Sequence, residues 1–145
     1  LHKAIRRQRQ MCIRDSGNPV SIAAAQAVLK YIKDENLQEH CKKAGGALLK
    51  ALKEVQERHP ESVGDVRGAG LFLGFEFVKN DGNKTPDKDM ALNVIEMLRD
   101  EHILTSVIGH YGNILKLRPP MVFSENDIDW FATSLDKCIT KLENK

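Results

Sequence analysis

The chain has 145 residues, 41% of them hydrophobic and 29% charged, with a formal net charge of +2. That length suits one compact domain around a single core. No apolar run approaches the ~18 residues a bilayer span requires, and the opening Leu1-His2-Lys3-Ala4 lacks the apolar stretch of a secretory leader, so a soluble, cytoplasmic protein without a membrane partner is expected. Three cysteines, Cys12, Cys41 and Cys138, without C-x-x-C spacing argue against both a disulfide framework and a zinc site.

The first segment is basic. Lys3, Arg6, Arg7, Arg9 and Arg14 stand against the single acid Asp15. Outside the first 16 positions 17 of the 22 basic and 19 of the 20 acidic residues remain, a net charge of −2, and no argument for a nucleic-acid partner survives. The run Arg6-Arg7-Gln8-Arg9-Gln10-Met11-Cys12-Ile13-Arg14-Asp15-Ser16 resembles one reading frame of a transposon-end sequencing adaptor. Leu1 to Ser16 therefore reads as adaptor-derived and is expected to be disordered, with natural sequence beginning at Gly17. The competing reading is a basic arm for nucleic acid or membrane.

Asn18-Pro19 supplies a capping side chain and a proline at the first helical position, and the Ala-rich stretch to about Lys33 continues that helix. A second helix is predicted over Leu37 to Arg58, with Leu37, Cys41, Ala44, Leu48, Leu52 and Val55 on one face, and His59-Pro60 ends it. Val63 to Arg67 reads as a strand, Gly68-Ala69-Gly70 as a turn or bulge, and Leu71 to Val78 as a strongly apolar strand. After a polar loop, Asp87 to about Glu101 reads as a helix whose stripe is Ala91, Val94, Ile95 and Leu98. Ile103 to Val107 and Asn113 to Leu117 are two further strands, and Pro119-Pro120 cannot continue the ladder. Ser124 with Asp127 opens a last helix striped by Ile128, Phe131, Leu135, Ile139 and Leu142. The order predicts an α+β sandwich, a small, largely antiparallel sheet packed on helices.

Chemistry is harder to find. Gly68-Ala69-Gly70 precedes a strand rather than a helix, so it is no dinucleotide loop. Arg67 suits a carboxylate partner in the core or across an interface. The histidines have no ligand spacing, no metal site is expected, and no nucleophile elbow or paired carboxylate stands out, so no catalytic residue is assigned. His110 lies in a loop between strands, where function concentrates, though a solvated loop histidine is the favoured reading.

Three ordered motifs carry a family resemblance. Gly17-Asn18-Pro19-Val20-Ser21 with its Ala-rich helix, then Gly64-Asp65-Val66-Arg67-Gly68-Ala69-Gly70-Leu71-Phe72-Leu73-Gly74-Phe75-Glu76, then Asn113-Ile114-Leu115-Lys116-Leu117-Arg118-Pro119-Pro120-Met121 resemble class III pyridoxal-phosphate (PLP) aminotransferases. The last motif is most similar to the phospho-lyase branch, whose members act on ethanolamine phosphate or phosphohydroxylysine. The resemblance implies the C-terminal small domain of a type I PLP fold, preceded by the interdomain helix. It also implies a homodimer acting on a small-molecule amine, with PLP held by a lysine upstream of Gly17. By that reading this polypeptide alone is inactive and holds no cofactor-binding residue. Many class III transaminases place an arginine where Lys116 stands, to grip a substrate carboxylate. Lys116 and Arg118 are thus the expected substrate-binding residues, on one face of a strand, and a lysine point charge suits phosphate. The alternative is that Lys116 extends to solvent from the strand end. A free-standing α+β binding or regulatory module is the alternative for the whole chain.

Overall fold

A computed structural model describes residues 18–144. The expectation for Leu1 to Ser16, and the part of the first motif at Gly17, lie outside the described residues. The chain divides into two units, Leu1–Gln38 and Glu39–Lys145.

The first unit holds helix α1 (Pro19–Asp34). Asn18 caps it: its side-chain oxygen accepts from the Val20 N–H at 2.9 Å, and Pro19 takes the first turn, where a missing N–H costs nothing. No residue of α1 is buried, and Val20, Val28, Leu29 and Tyr31 are all exposed.

The second unit is a two-layer sandwich. Helix α2 (Leu37–Arg58) crosses the boundary at its first turn; strands β1 (Val63–Ala69) and β2 (Phe72–Phe77), helix α3 (Lys88–Asp100), strands β3 (Ser106–Ile108) and β4 (Ile114–Leu117), and helix α4 (Glu125–Glu143) follow. The sheet order is β1-β2-β4-β3, and every pair is antiparallel. Side chains alternate along β2: Leu73, Phe75 and Phe77 point into the core, while Phe72, Gly74 and Glu76 lie on the opposite face. Leu48, Leu52 and Val55 of α2, Val94 and Leu98 of α3, and Leu135 and Ile139 of α4 join Phe75, Phe77 and Leu115 in one core. Each such side chain contributes about 1.5–3 kcal/mol relative to leaving it in water. The Phe75 and Phe77 rings meet edge to face at 5.3 Å.

The helices follow their periodicity. Ser124 and Asp127 form the reciprocal capping box at the start of α4, and the Ser124 hydroxyl and backbone hold the Asp127 carboxyl below its usual range. Asp87 caps α3 through the Met90 N–H at 2.9 Å. Of the predicted α2 stripe, Cys41 is only half-buried, and Leu37 falls in the first unit.

The strands depart from expectation at their ends. β1 runs two residues past Arg67, because Gly68 pairs with Leu73 and Ala69 with Phe72, and the turn is only Gly70-Leu71. The register irregularity sits instead between Val63 and Asp65. Gly70 has φ of 53°, a left-handed value that favours glycine. β3 starts at Ser106 rather than Ile103. The chain leaves α3 through His102, at φ of 63°, and the Ile103 N–H is taken by the Leu98 carbonyl at 2.8 Å, so Ile103 still belongs to the helix exit.

Candidate functional site

On the face of the sheet away from the core, cross-strand pairing sets Arg67, Gly74, Lys116 and Ser106 in one row. The two cations of that row have opposite surroundings. Arg67 Nη1 donates to Glu76 Oε2 and to Asp65 Oδ2, each at 2.7 Å, and these bonds, that to Glu76 foremost, hold its guanidinium above the usual arginine value. Buried Asn113 steadies the arrangement, its amide donating to the Phe77 carbonyl at 2.8 Å and to Glu76 Oε1 at 3.3 Å. Arg67 thus finds its carboxylates on the open face of the sheet, not in the core, and its charge is already answered by two acids.

Lys116 is half-buried, and among the described residues no carboxylate lies within ion-pair reach of it or of Arg118. Arg118 stands one residue past the end of β4, exposed, with its guanidinium carbon 6.0 Å from the centre of the exposed Phe72 ring. The expectation that both would share one strand face is therefore met only at Lys116, because the ladder stops at Leu117 ahead of Pro119 and Pro120.

Both residues nevertheless line one cavity of about 540 Å3, together with Thr105, Ser106, Pro119 and Pro120. Its walls are apolar, with Leu48 and Phe131 among them, and the exposed Trp130 and Leu104 stand at its edge. The Thr105 hydroxyl donates to the Lys116 carbonyl at 3.0 Å, which fixes the start of β3 against the end of β4. The cavity lining includes no aspartate or glutamate. Two cations beside two hydroxyls, in an open cavity with an apolar floor, suit an anion attached to a small organic body.

Other residues singled out in the sequence fall elsewhere. Gly68 and Gly70 serve packing: a Cβ on Gly68 would reach within 2.7 Å of Leu73 Cα, and Gly70 lies against Gly45 of α2. His110 is exposed in the β3–β4 turn, its ring edge to face with Tyr111 at 4.9 Å. No group of three His, Cys, Asp or Glu side chains able to hold a metal is found among the described residues, and no helix there is long and apolar enough to cross a membrane. Nothing in the local pattern of Trp130, Leu104, Thr105 and Ser106 separates them from ordinary surface residues; the Ser106–Lys116 pairing brings the β3 end to the site, and the last helix brings Trp130.

Comparison with known proteins gives a consistent result. Residues 16–139 match the family model described as aminotransferase class-III. An ethanolamine-phosphate phospho-lyase homolog of Caenorhabditis elegans is 44% identical over 125 residues, 86% of this chain and 27% of that protein. An Arabidopsis thaliana alanine–glyoxylate aminotransferase 2 homolog is 36% identical over 87% of this chain and 26% of its own length. Among solved structures, a phospholyase from Arthrobacter in complex with phosphoethanolamine superposes with a TM-score of 0.81 at 36% identity, covering 86% of this chain and 29% of that one. The chain thus spans about a quarter of the length of the curated relatives it matches.

Proposed function

Since the chain belongs to the class III aminotransferase family, whose members depend on PLP, we propose that it forms the C-terminal small domain, with the helix leading to it, of a homodimeric enzyme acting on an amino-phosphate. The observation that carries the substrate reading is the pair Lys116 and Arg118, which line one cavity with no carboxylate in its lining. A phosphate monoester presents up to two negative charges and several acceptor oxygens, and a lysine ammonium meets it as a point charge without the planar match that a carboxylate finds in arginine. The phosphoethanolamine bound by the Arthrobacter relative supports the same substrate class.

PLP itself asks for more than these residues provide. It needs a lysine amine held near its aldehyde, an acid facing the pyridine nitrogen and donors around its phosphate. Among the described residues no lysine is buried, and the cavity offers no acid. The described residues therefore do not form a cofactor site. Their part is to bind and orient the substrate anion, while the Schiff-base lysine belongs to sequence upstream of Gly17. Contiguous upstream coding sequence that holds a large domain with an internal lysine separates this reading from that of a free-standing binding or regulatory module.

The test uses the complete enzyme, with the upstream portion in place. Lys116→Ala should lower kcat/KM for ethanolamine phosphate about tenfold or more, the effect of losing one charge-assisted bond of ~1.5–3 kcal/mol. Lys116→Arg should retain most of the activity. An unchanged kcat/KM in Lys116→Ala would remove Lys116 from the substrate site.

A further inference from the structure

Thr105 and Ser106 are neighbours in the chain and both line the cavity with Lys116, yet their hydroxyls are not equivalent. Thr105 is half-buried, one residue ahead of β3, and its hydroxyl donates to the Lys116 carbonyl at 3.0 Å. A hydroxyl carries a single hydrogen, and a carbonyl oxygen can only accept, so that hydrogen is committed to the protein. What Thr105 has left for a ligand is lone-pair density, which an anion repels.

Ser106 has its hydrogen to give. It is exposed, and among the described residues its hydroxyl has no hydrogen-bond partner. The ladder sets it directly opposite Lys116, and side chains opposite one another rise from the same face of a sheet with their Cβ atoms about 5 Å apart. The two side chains complement each other. A lysine ammonium is a point charge on a long, flexible stem and fixes no direction by itself. A serine hydroxyl is short and stands on a paired strand, so it supplies a donor at a defined place.

The bond that Thr105 makes also has a function at this point. β4 ends at Leu117, ahead of Pro119 and Pro120, so Lys116 sits next to the last rung of the ladder. By holding the Lys116 carbonyl, the Thr105 hydroxyl keeps that strand end against β3 and fixes where the Lys116 stem leaves the sheet.

Resting on the reading of this cavity as the seat of a substrate phosphate, we propose that Ser106 is a further ligand of that anion, donating to a phosphate oxygen beside the Lys116 ammonium. Thr105 is a positioning residue: it holds the Lys116 peptide and gives the anion no hydrogen bond.

The test uses the complete enzyme, with kcat/KM for ethanolamine phosphate and the inhibition constant of inorganic phosphate as readouts. Ser106→Ala should weaken both about fivefold, the loss of a hydrogen bond to a charged partner in an open setting, and Ser106→Thr, which keeps the hydroxyl, should restore them. Thr105→Val should weaken both about threefold, the loss of a neutral hydrogen bond, and Thr105→Ser should restore them. The two positions separate in a Lys116→Ala background. There Ser106→Ala should still weaken phosphate binding, whereas Thr105→Val should cost nothing further, because it acts only through Lys116. A Thr105→Val loss that persists undiminished in that background would overturn the positioning role. Unchanged phosphate inhibition in Ser106→Ala, with Lys116→Ala weakened, would overturn the Ser106 assignment and leave the substrate reading standing. No effect of Lys116→Ala itself would overturn the substrate reading and this proposal with it.

Discussion

Gly45 and Gly46 are neighbours in the middle of α2, and the structure assigns opposite signs to the same substitution at each. Glycine inside a helix costs about 1 kcal/mol relative to alanine, so either change to alanine gains roughly that amount from the helix alone. At Gly46 a new Cβ meets nothing within 4 Å, and the gain is kept. At Gly45 the new Cβ would run into the Gly70 carbonyl and come within 2.6 Å of Gly70 Cα. Backbone lies on both sides of that contact, so no rotamer change relieves it, and α2 must lift from the β1–β2 turn. The lift loosens Leu48, Leu52 and Val55, which lie on the same helix in the core. Overpacking of this kind costs about 1–3 kcal/mol, and with the loosened core the net change is a loss of ~1–2 kcal/mol. A chain of this size shifts its Tm by about 4 °C per kcal/mol. Thermal unfolding followed by circular dichroism should therefore show Gly46→Ala raising Tm by about 2–4 °C and Gly45→Ala lowering it by about 4–8 °C. Equal stabilisation by both would refute the close approach of α2 to the Gly70 turn.

The capping box gives a pH dependence. Asp127 is held below the usual carboxylate range by Ser124, so its contribution is present above the unfolded-state value and is lost as pH falls through the lowered folded one; Tm measured from pH 6 to 2.5 should drop less steeply in Asp127→Asn than in the wild type. Deleting Leu1 to Ser16 should leave Tm unchanged, and a fall of several degrees would show that the segment packs. PLP added to the chain should give no stoichiometric adduct absorbing near the usual Schiff-base band, because no described lysine is buried. A stoichiometric band abolished by changing one particular lysine would contradict that.

The helices were legible because each buries one stripe and announces its ends: Asn18-Pro19, Asp87 and Ser124 cap α1, α3 and α4. β3 was misplaced because Ile103 looks like a strand residue from its side chain alone, while the hydrogen bond from its N–H to Leu98 depends on how α3 ends. Glycines mislead the other way at β1, where Gly68-Ala69-Gly70 reads as a turn or bulge although Gly68 pairs with Leu73 and Ala69 with Phe72. Family-level motifs point to Lys116 and Arg118, and strand alternation predicts one shared face for both, whereas β4 ends at Leu117 and the two come together as lining of one cavity. The rest of the cavity was not legible, since Ser106 and Trp130 reach it only through the pairing of β3 with β4 and the packing of α4. The contacts of the His59 ring with Asp136 and Glu143 were further out of reach, since those residues lie 77 and 84 positions along the chain.

An amino-phosphate substrate requires that the cavity beside Lys116 and Arg118 receive a phosphate. That is measured directly by 1H–15N chemical-shift changes in the 145-residue chain as ethanolamine phosphate is added, with ethanolamine alone as the control. The shifts should concentrate at Ile103 to Ser106 and Leu115 to Phe123, be absent with ethanolamine, and vanish in Lys116→Ala while the spectrum stays folded. Shifts spread evenly over the surface, or unchanged in Lys116→Ala, would contradict the assignment of this cavity to the substrate anion.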